Sequence, residues 1–144
     1  MEQKQHLGQE VRIVSNLLKR TIDNTAVKQR MDHLTGTQCW IIGYMYANQN
    51  KDIFQKDIEM EFSIRRSTVT GIIKLLEKNE LITRESVSYD ARLKKLVLTE
   101  KAIELHHEIM SEIYKVEDRL TEGITSEEKE VFLKVVEKMK QNLI

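Results

Sequence analysis

The first half of the chain carries apolar residues at helical spacing. Steps of three and four between them predict a first helix of about 20 residues. Its apolar stripe consists of Leu7, Val11, Val14, Leu18 and Ile22. Thr35 and Gln38 then have the spacing of a capping box, which predicts the start of a second helix. A short third helix is expected at residues 55–62. Its start lacks a hydroxyl or carboxylate cap, because Phe54 precedes it.

The fourth predicted helix is amphipathic, and the period of the pattern changes after it. Its apolar face consists of Val69, Ile72, Ile73 and Leu76. Two short runs rich in β-forming residues follow, at 82–87 and 93–98, and they flank a turn-like segment at 88–92. This arrangement predicts one β-hairpin. A short helix, a turn, an amphipathic helix and a hairpin together have the order of a winged helix-turn-helix.

Helical spacing returns after the hairpin. Thr99 has the position of a cap for a long fifth helix, and Gly123 marks its end. Thr125 and Glu128 form another capping box, which predicts a sixth helix. The apolar stripes of these two helices are Ala102, His106, Ile109, Ile113, Val116 and Leu120, and then Phe132, Val135, Met139 and Leu143. The expected fold is mostly α, with a two-stranded β wing.

Composition agrees with a helical protein. The chain has 144 residues, no proline and five glycines, and both of these residues disfavour helix interiors. No apolar run approaches the roughly 18 residues of a membrane span, and the amino terminus lacks the apolar stretch of a signal peptide. One cysteine cannot form an internal disulfide. We therefore expect a soluble, cytoplasmic protein without membrane association.

The charges are unevenly distributed, although the net charge is zero. Residues 63–99 carry eight basic and four acidic side chains, whereas residues 100–144 carry seven basic and eleven acidic ones. A basic region on a neutral protein can still attract a polyanion, because the local field matters at close range. The alternative interpretation is an ordinary solvated surface.

Two motifs in this basic region carry a family likeness. The first is Ile64-Arg65-Arg66-Ser67-Thr68-Val69-Thr70, and the second is Asp90-Ala91-Arg92 followed by Leu96-Val97-Leu98-Thr99. With these motifs the chain resembles the MarR family of bacterial transcription regulators over nearly its whole length. The resemblance implies a homodimer that binds palindromic operators in double-stranded DNA. Such proteins are usually repressors that a small ligand or an oxidant releases.

The resemblance also divides the chain into functional parts. We expect a single domain over residues 1–144, with a winged helix-turn-helix DNA-binding lobe at 35–99. Residues 1–34 and 100–144 would supply helices that interlock in the dimer. The apolar stripes on these outer helices support this division, because one lobe cannot cover all of them.

The fourth helix has the chemistry of a recognition helix. Its face opposite the apolar stripe carries hydroxyl and basic side chains, and the amino end of such a helix approaches base edges in the major groove. The candidate major-groove residues are Arg65, Arg66, Ser67, Thr68, Thr70 and Lys74. Gly71 lies among them. It either allows close approach to DNA or is merely a small residue.

The resemblance assigns further roles to the hairpin. Arg92 would be the arginine at the wing tip that enters the minor groove. Asp90 would orient the wing by pairing with an arginine, for which Arg84 and Arg92 are the candidates. Lys94 and Lys95 would lie near phosphates.

Two positions depart from the family pattern. The usual glycine after the recognition helix is Glu80, so Asn79 is expected to supply the left-handed residue there. Many relatives have arginine where this chain has Gly71, which leaves the operator sequence open.

Three residues of the second helix invite functional interpretations. Trp40 and Tyr44 either pack in the core or line a pocket for a small aromatic or phenolic effector. Cys39 either senses oxidants or is a small buried apolar residue.

We expect no cofactor, metal site or catalysis. Adjacent His106 and His107 point about 100° apart on a helix, which disfavours joint chelation. The chain has no phosphate-binding glycine loop, no HExxH and no glycine-x-serine-x-glycine motif. The rival to DNA binding is a winged helix that makes only protein contacts.

Overall fold

A computed structural model describes residues 5–25 and 34–144 of the chain. The described residues form six α-helices and one two-stranded antiparallel sheet. The elements are α1 (Leu7–Asp23), α2 (Gly36–Ala47), α3 (Gln55–Phe62), α4 (Arg66–Lys78), β1 (Ile82–Val87), β2 (Asp90–Leu98), α5 (Glu100–Leu120) and α6 (Ser126–Leu143). This order confirms the predicted mostly α fold with a winged helix-turn-helix. Residues 1–4 and 26–33 of the predicted dimerisation segment 1–34 lie outside the described residues.

Side-chain caps begin several helices as predicted. The Gln38 backbone N–H donates to Thr35 Oγ1 (3.2 Å), and the Thr35 N–H donates to Gln38 Oε1 (3.1 Å), so the capping box is complete. The start of α3 has a capping hydrogen bond that the sequence does not predict. Its Asp57 carboxylate accepts from the Phe54 backbone N–H (2.8 Å), which gives the helix half of a capping box.

The hairpin turn is shorter than predicted. Strand β2 begins at Asp90 and not at Leu93, so the connection between the strands is reduced to residues 88–89. The register shifts between Ser86 and Val87, which brings Val87 opposite Asp90. This irregularity extends the pairing of the strands to the wing tip.

The first of two compact units ends at Ile113 and contains the apolar core. Residues from α2, α3, α4, both strands and α5 meet in it. The largest fully buried side chains are Leu34, Ile41, Ile42, Met45, Ile58, Val69, Ile73, Leu76, Leu81 and Ile82. Burial of each such side chain contributes about 1.5–3 kcal/mol relative to exposure, so this core fixes where α4 and the root of the hairpin lie.

The link from α4 to the hairpin corrects one expectation. Glu80 has a φ of 60°, whereas Asn79 has a φ of −84°, so Glu80 and not Asn79 is the left-handed residue. The Leu81 N–H donates to the Leu76 carbonyl (2.9 Å), and the Glu80 N–H donates to the Glu77 carbonyl (3.0 Å). These two bonds form a Schellman motif. They compensate the cost of a non-glycine residue in this conformation, about 1–2 kcal/mol.

The second unit runs from Tyr114 to Ile144 and contains α6. None of the residues of α6 is buried. Its exposed apolar side chains include Val131, Phe132, Leu133, Val135 and Leu143. In the first unit, α1 likewise exposes Leu7, Val11, Ile13, Val14 and Leu17. Apolar surface of this extent is typical of helices that bind a partner.

His106 of α5 is buried, and we expect it to make stability depend on pH. Its ring lies 4.4 Å from the ring of Tyr46. Burial and the nearby His107 both lower the His106 pKa from 6.5. The unfolded chain therefore binds a proton more readily at this position, so the stabilising contribution is present above about pH 6.5 and declines as the pH falls below it. Urea midpoints should decrease from pH 7.5 to pH 5.

Two variants isolate the contribution of His106. His106→Gln should flatten this decline, whereas His6→Ala, which removes an exposed histidine, should leave it as in the wild type. The same steepness in wild type and His106→Gln would contradict the assignment.

Candidate nucleic-acid interface

The core orients α4 so that one face is exposed. Val69, Ile73 and Leu76 are fully buried. The opposite side carries a row of exposed residues spaced by three or four positions: Ser67, Gly71, Lys74 and Lys78. Small and basic residues therefore form the outward surface of the predicted recognition helix.

The amino end of α4 is also open. Ser63, with a φ of 51°, makes the tight turn from α3, and the Ile64 N–H donates to the Glu59 carbonyl (3.1 Å). Arg65 occupies the cap position in an extended conformation, and its side chain forms no capping hydrogen bond. The next three residues, Arg66, Ser67 and Thr68, are exposed. Open N–H groups and the helix dipole at this end favour negatively charged groups.

Thr70 has a different environment from its neighbours. It is half-buried, and its Oγ1 donates to the Arg66 carbonyl (2.9 Å) and accepts from Gln55 Nε2 (2.7 Å). Its hydroxyl proton is thus engaged within the protein. Gln55, at the start of α3, is missing from the predicted site residues. No sequence pattern indicates that its amide reaches a residue fifteen positions away.

The hairpin presents Arg92 near its tip. The side chain of Arg92 is 93% exposed, and its Nε lies 3.6 Å from Asp90 Oδ1. The same oxygen accepts from the Arg92 backbone N–H (2.9 Å). Of the two predicted partners of Asp90, the structure therefore selects Arg92. Arg84 instead pairs with Glu77 of α4 (3.3 Å), which ties β1 to this helix.

Lys94 and Lys95 are adjacent in β2, so they project to opposite faces of the hairpin. Lys94 Nζ donates to Ser86 Oγ (2.6 Å), whereas Lys95 Nζ lies 3.5 Å from Asp52 Oδ1. A single DNA surface cannot contact both from one face of the sheet.

The cations of α4 are available to an external anion. In the described part of the chain, Arg65, Arg66 and Lys74 take part in no ion pair. Lys78 of α4 and Arg92 at the wing tip are further exposed positive groups.

The candidate effector residues share one face of α2, at positions four apart. Trp40 is 41% exposed, and the half-buried Tyr44 meets Phe62 edge to face with 5.9 Å between ring centres. Partial desolvation, Asp57 and Glu61 raise the Tyr44 pKa above 10.0, so its hydroxyl stays neutral. A cavity of about 160 Å³ lies elsewhere, at the root of the hairpin, and neither residue lines it.

The structure gives little support to a redox or metal site in the described residues. Cys39 is 4% exposed and belongs to the core. Within residues 5–25 and 34–144, no three histidine, cysteine or acidic side chains are grouped to hold a metal ion. No helix in these ranges is long and apolar enough to cross a membrane.

Gly71 allows a test of how helix propensity in α4 affects stability. Apart from its chain neighbours and the adjacent backbone of α4, an added Cβ at this position would meet no atom of the protein within 4 Å. We therefore expect Gly71→Ala to raise the free energy of unfolding by about 0.5–1 kcal/mol, because alanine has the higher helix propensity. Chemical denaturation measures this gain. A loss of stability would contradict the open position of Gly71.

Comparisons with known proteins agree with this architecture. A sequence model described as the MarR family matches residues 34–93. The crystal structure of the transcription regulator MarR from Oenococcus oeni PSU-1 is 35% identical, with a TM-score of 0.81, over 94% of this chain and 99% of that one. A complex of Staphylococcus aureus MepR with DNA is 27% identical, with a TM-score of 0.86, over 96% and 97% of the two chains.

The fold and the exposed α4 surface define a winged helix-turn-helix protein. The sequence identity with the Oenococcus regulator, over nearly the whole of both chains, identifies the family more specifically than the fold does. The chain belongs to the MarR family of transcription regulators.

Proposed function

We propose that this protein is a homodimeric repressor that binds a palindromic operator in double-stranded DNA. The observation that carries this proposal is the exposed amino end of α4, with Arg66, Ser67 and Thr68, in a lobe whose hairpin exposes Arg92. The complex of MepR with DNA supports DNA as the partner class.

In the proposed complex, α4 lies in the major groove. Arg66 can donate two hydrogen bonds to guanine, and the hydroxyls of Ser67 and Thr68 can serve bases or phosphates. Thr70 contributes mainly by holding α4 against Gln55, because its hydroxyl proton already has an acceptor. Arg92 extends from the wing into the minor groove, where narrow A·T-rich tracts attract arginine most strongly.

The dimer is supported by the uncovered apolar faces of α1 and α6. A second copy of the chain would cover them, and a two-fold symmetric dimer presents two recognition helices. Its half-sites should therefore be about 10 bp apart, one turn of DNA. A dimer bound in this way would repress by occupying promoter DNA.

Release by a small aromatic or phenolic ligand is part of the proposal. The partly exposed indole of Trp40 and the neutral phenol of Tyr44 could stack on such a molecule and hydrogen-bond to it. Oxidant sensing through Cys39 is less well supported, because reactive thiols need access to solvent and Cys39 is buried.

A salt titration separates a DNA-binding protein from a winged helix that makes only protein contacts. For a dimer with six to ten phosphate contacts, affinity should fall about 10³- to 10⁵-fold between 50 and 200 mM salt. An affinity for DNA that is negligible even at 50 mM salt would instead favour the protein-contact function.

Arg92→Ala should weaken DNA binding and reduce the slope of log affinity against log salt by about 1 per protomer. It should also flatten any preference for A·T-rich flanks. The fold should remain intact, because the Arg92 side chain is 93% exposed and has little packing to lose. Fluorescence anisotropy with labelled duplexes measures both effects. Unchanged affinity, slope and flank preference would place Arg92 outside the interface.

A further inference from the structure

The hairpin is fastened to the connection between α2 and α3 by three polar contacts, made by the turn residue Tyr89 and by Lys95 and Leu96 of β2. The Leu96 N–H donates to the Ile53 carbonyl (2.7 Å). Lys95 Nζ lies 3.5 Å from Asp52 Oδ1, and Tyr89 Oη donates to Asp52 Oδ2 (3.0 Å). Two of the three contacts therefore converge on one carboxylate, and each of its oxygens holds a different part of the hairpin.

These contacts matter because the outer part of the hairpin has little core packing. Its root is fixed by buried Ile82, Leu96 and Leu98. Beyond the root, Val87 is buried but does not belong to the core cluster, and most other side chains are exposed. The cavity of about 160 Å³ lies against Asp52, Ile53, Glu85 and Lys95, so tight apolar packing does not fill this side of the hairpin. The direction of the wing tip then depends on its polar contacts.

We propose that Asp52 is a positioning residue for DNA binding, whose carboxylate holds Tyr89 and Lys95 so that the wing presents Arg92 to the minor groove. This role rests on the proposed function. It is separate from that of Asp90, which orders Arg92 within the tip, whereas Asp52 orients the hairpin against the body of the protein.

The positioning role predicts that removing the Asp52 carboxylate weakens DNA binding, whereas simple charge counting predicts that its removal strengthens binding. A carboxylate near DNA repels phosphates, so its removal should strengthen binding if charge alone matters. Glu85 provides a matched control. It is exposed on β1, opposite Lys95 in the register, and its loss removes the same charge while both Asp52 contacts remain.

The contact between Tyr89 and Asp52 can be followed without DNA. Partial desolvation and the hydrogen bond to Asp52 raise the Tyr89 pKa above 10.0. An NMR titration of the phenol should therefore show its pKa falling toward 10.0 in Asp52→Ala. A Tyr89 pKa that does not move in this variant would show that the contact is absent in solution, and it would overturn the proposal.

Operator affinity is then measured at fixed salt for the full-length wild type, Asp52→Ala, Tyr89→Phe, the double variant and Glu85→Ala. Asp52→Ala should bind about three- to tenfold more weakly. Tyr89→Phe should also weaken binding, and the double variant should bind no more weakly than Asp52→Ala, because both substitutions remove one shared contact. Glu85→Ala should bind as tightly as the wild type or more tightly. Circular dichroism confirms folding.

Two results of the binding measurements would also overturn the role of Asp52, and they have different consequences. If the wild type binds the operator and Asp52→Ala binds it equally well or better, the positioning role fails while the proposed function stands. If the wild type binds no duplex DNA, both fail together.

Discussion

Replacing Phe132 with aspartate is expected to separate the two protomers and to abolish operator binding. Phe132 lies on α6, and its side chain is 63% exposed in the single chain. In the proposed dimer it is buried, so the substitution places an ionised carboxylate without a partner in an apolar interface. Such a charge costs several kcal/mol or more, and two-fold symmetry introduces it twice. Dimer affinity should therefore fall by about a thousandfold or more.

Gln141→Asp is the matched control for this substitution. Gln141 is exposed and lies nine residues after Phe132, half a helical turn away around α6. The control adds the same charge to the opposite face, so the dimer should persist. Sedimentation at micromolar concentration should give about twice 17.0 kDa for the wild type and for Gln141→Asp. A Phe132→Asp variant that remains dimeric would contradict the proposed interface.

Arg66→Ala is expected to have the largest effect on sequence recognition. Arg66 is the first residue of α4, and it is exposed. Among the residues that the structure describes, it forms no ion pair. A bidentate arginine contributes about 1–3 kcal/mol of discrimination at its base pair. The loss should therefore be about 5- to 150-fold for each half-site on the cognate operator, and much smaller on random duplex DNA.

Lys78→Ala provides the comparison for Arg66→Ala. Lys78 is also exposed and basic, but it lies at the other end of α4, about 18 Å along the helix axis. Its removal should weaken cognate and random DNA by similar factors. If Arg66→Ala also weakened both DNAs equally, Arg66 would be a phosphate anchor and not a reader of bases.

Local signals in the sequence predicted much of the fold. Capping boxes at Thr35 and Thr125 involve neighbouring residues, and the apolar positions of α4 repeat within one helix. Such features need no knowledge of tertiary structure. The left-handed residue after α4 was predicted wrongly at Asn79, because residue preference favours asparagine over Glu80. The Schellman hydrogen bonds to Leu81 and Glu80 decide the position instead.

For the candidate site, the sequence indicates residue types but not the contacts between them. The sequence indicated the basic and hydroxyl residues at the start of α4, yet the partners of Thr70 and Lys95 are Gln55 and Asp52, both distant along the chain. Asp52 in particular lies in a polar connection that has no motif. Its proposed role follows only from the tertiary contacts that hold the hairpin against this connection.

Selection from random duplex DNA tests the central claim most directly. The purified full-length protein is incubated with a random library, and the bound sequences are recovered and sequenced over several rounds. The proposed function predicts an enriched inverted repeat with half-sites about 10 bp apart, and Arg66→Ala should lose the preference at one position in each half-site. A library that remains random after selection with the wild-type dimer would contradict sequence-specific DNA binding.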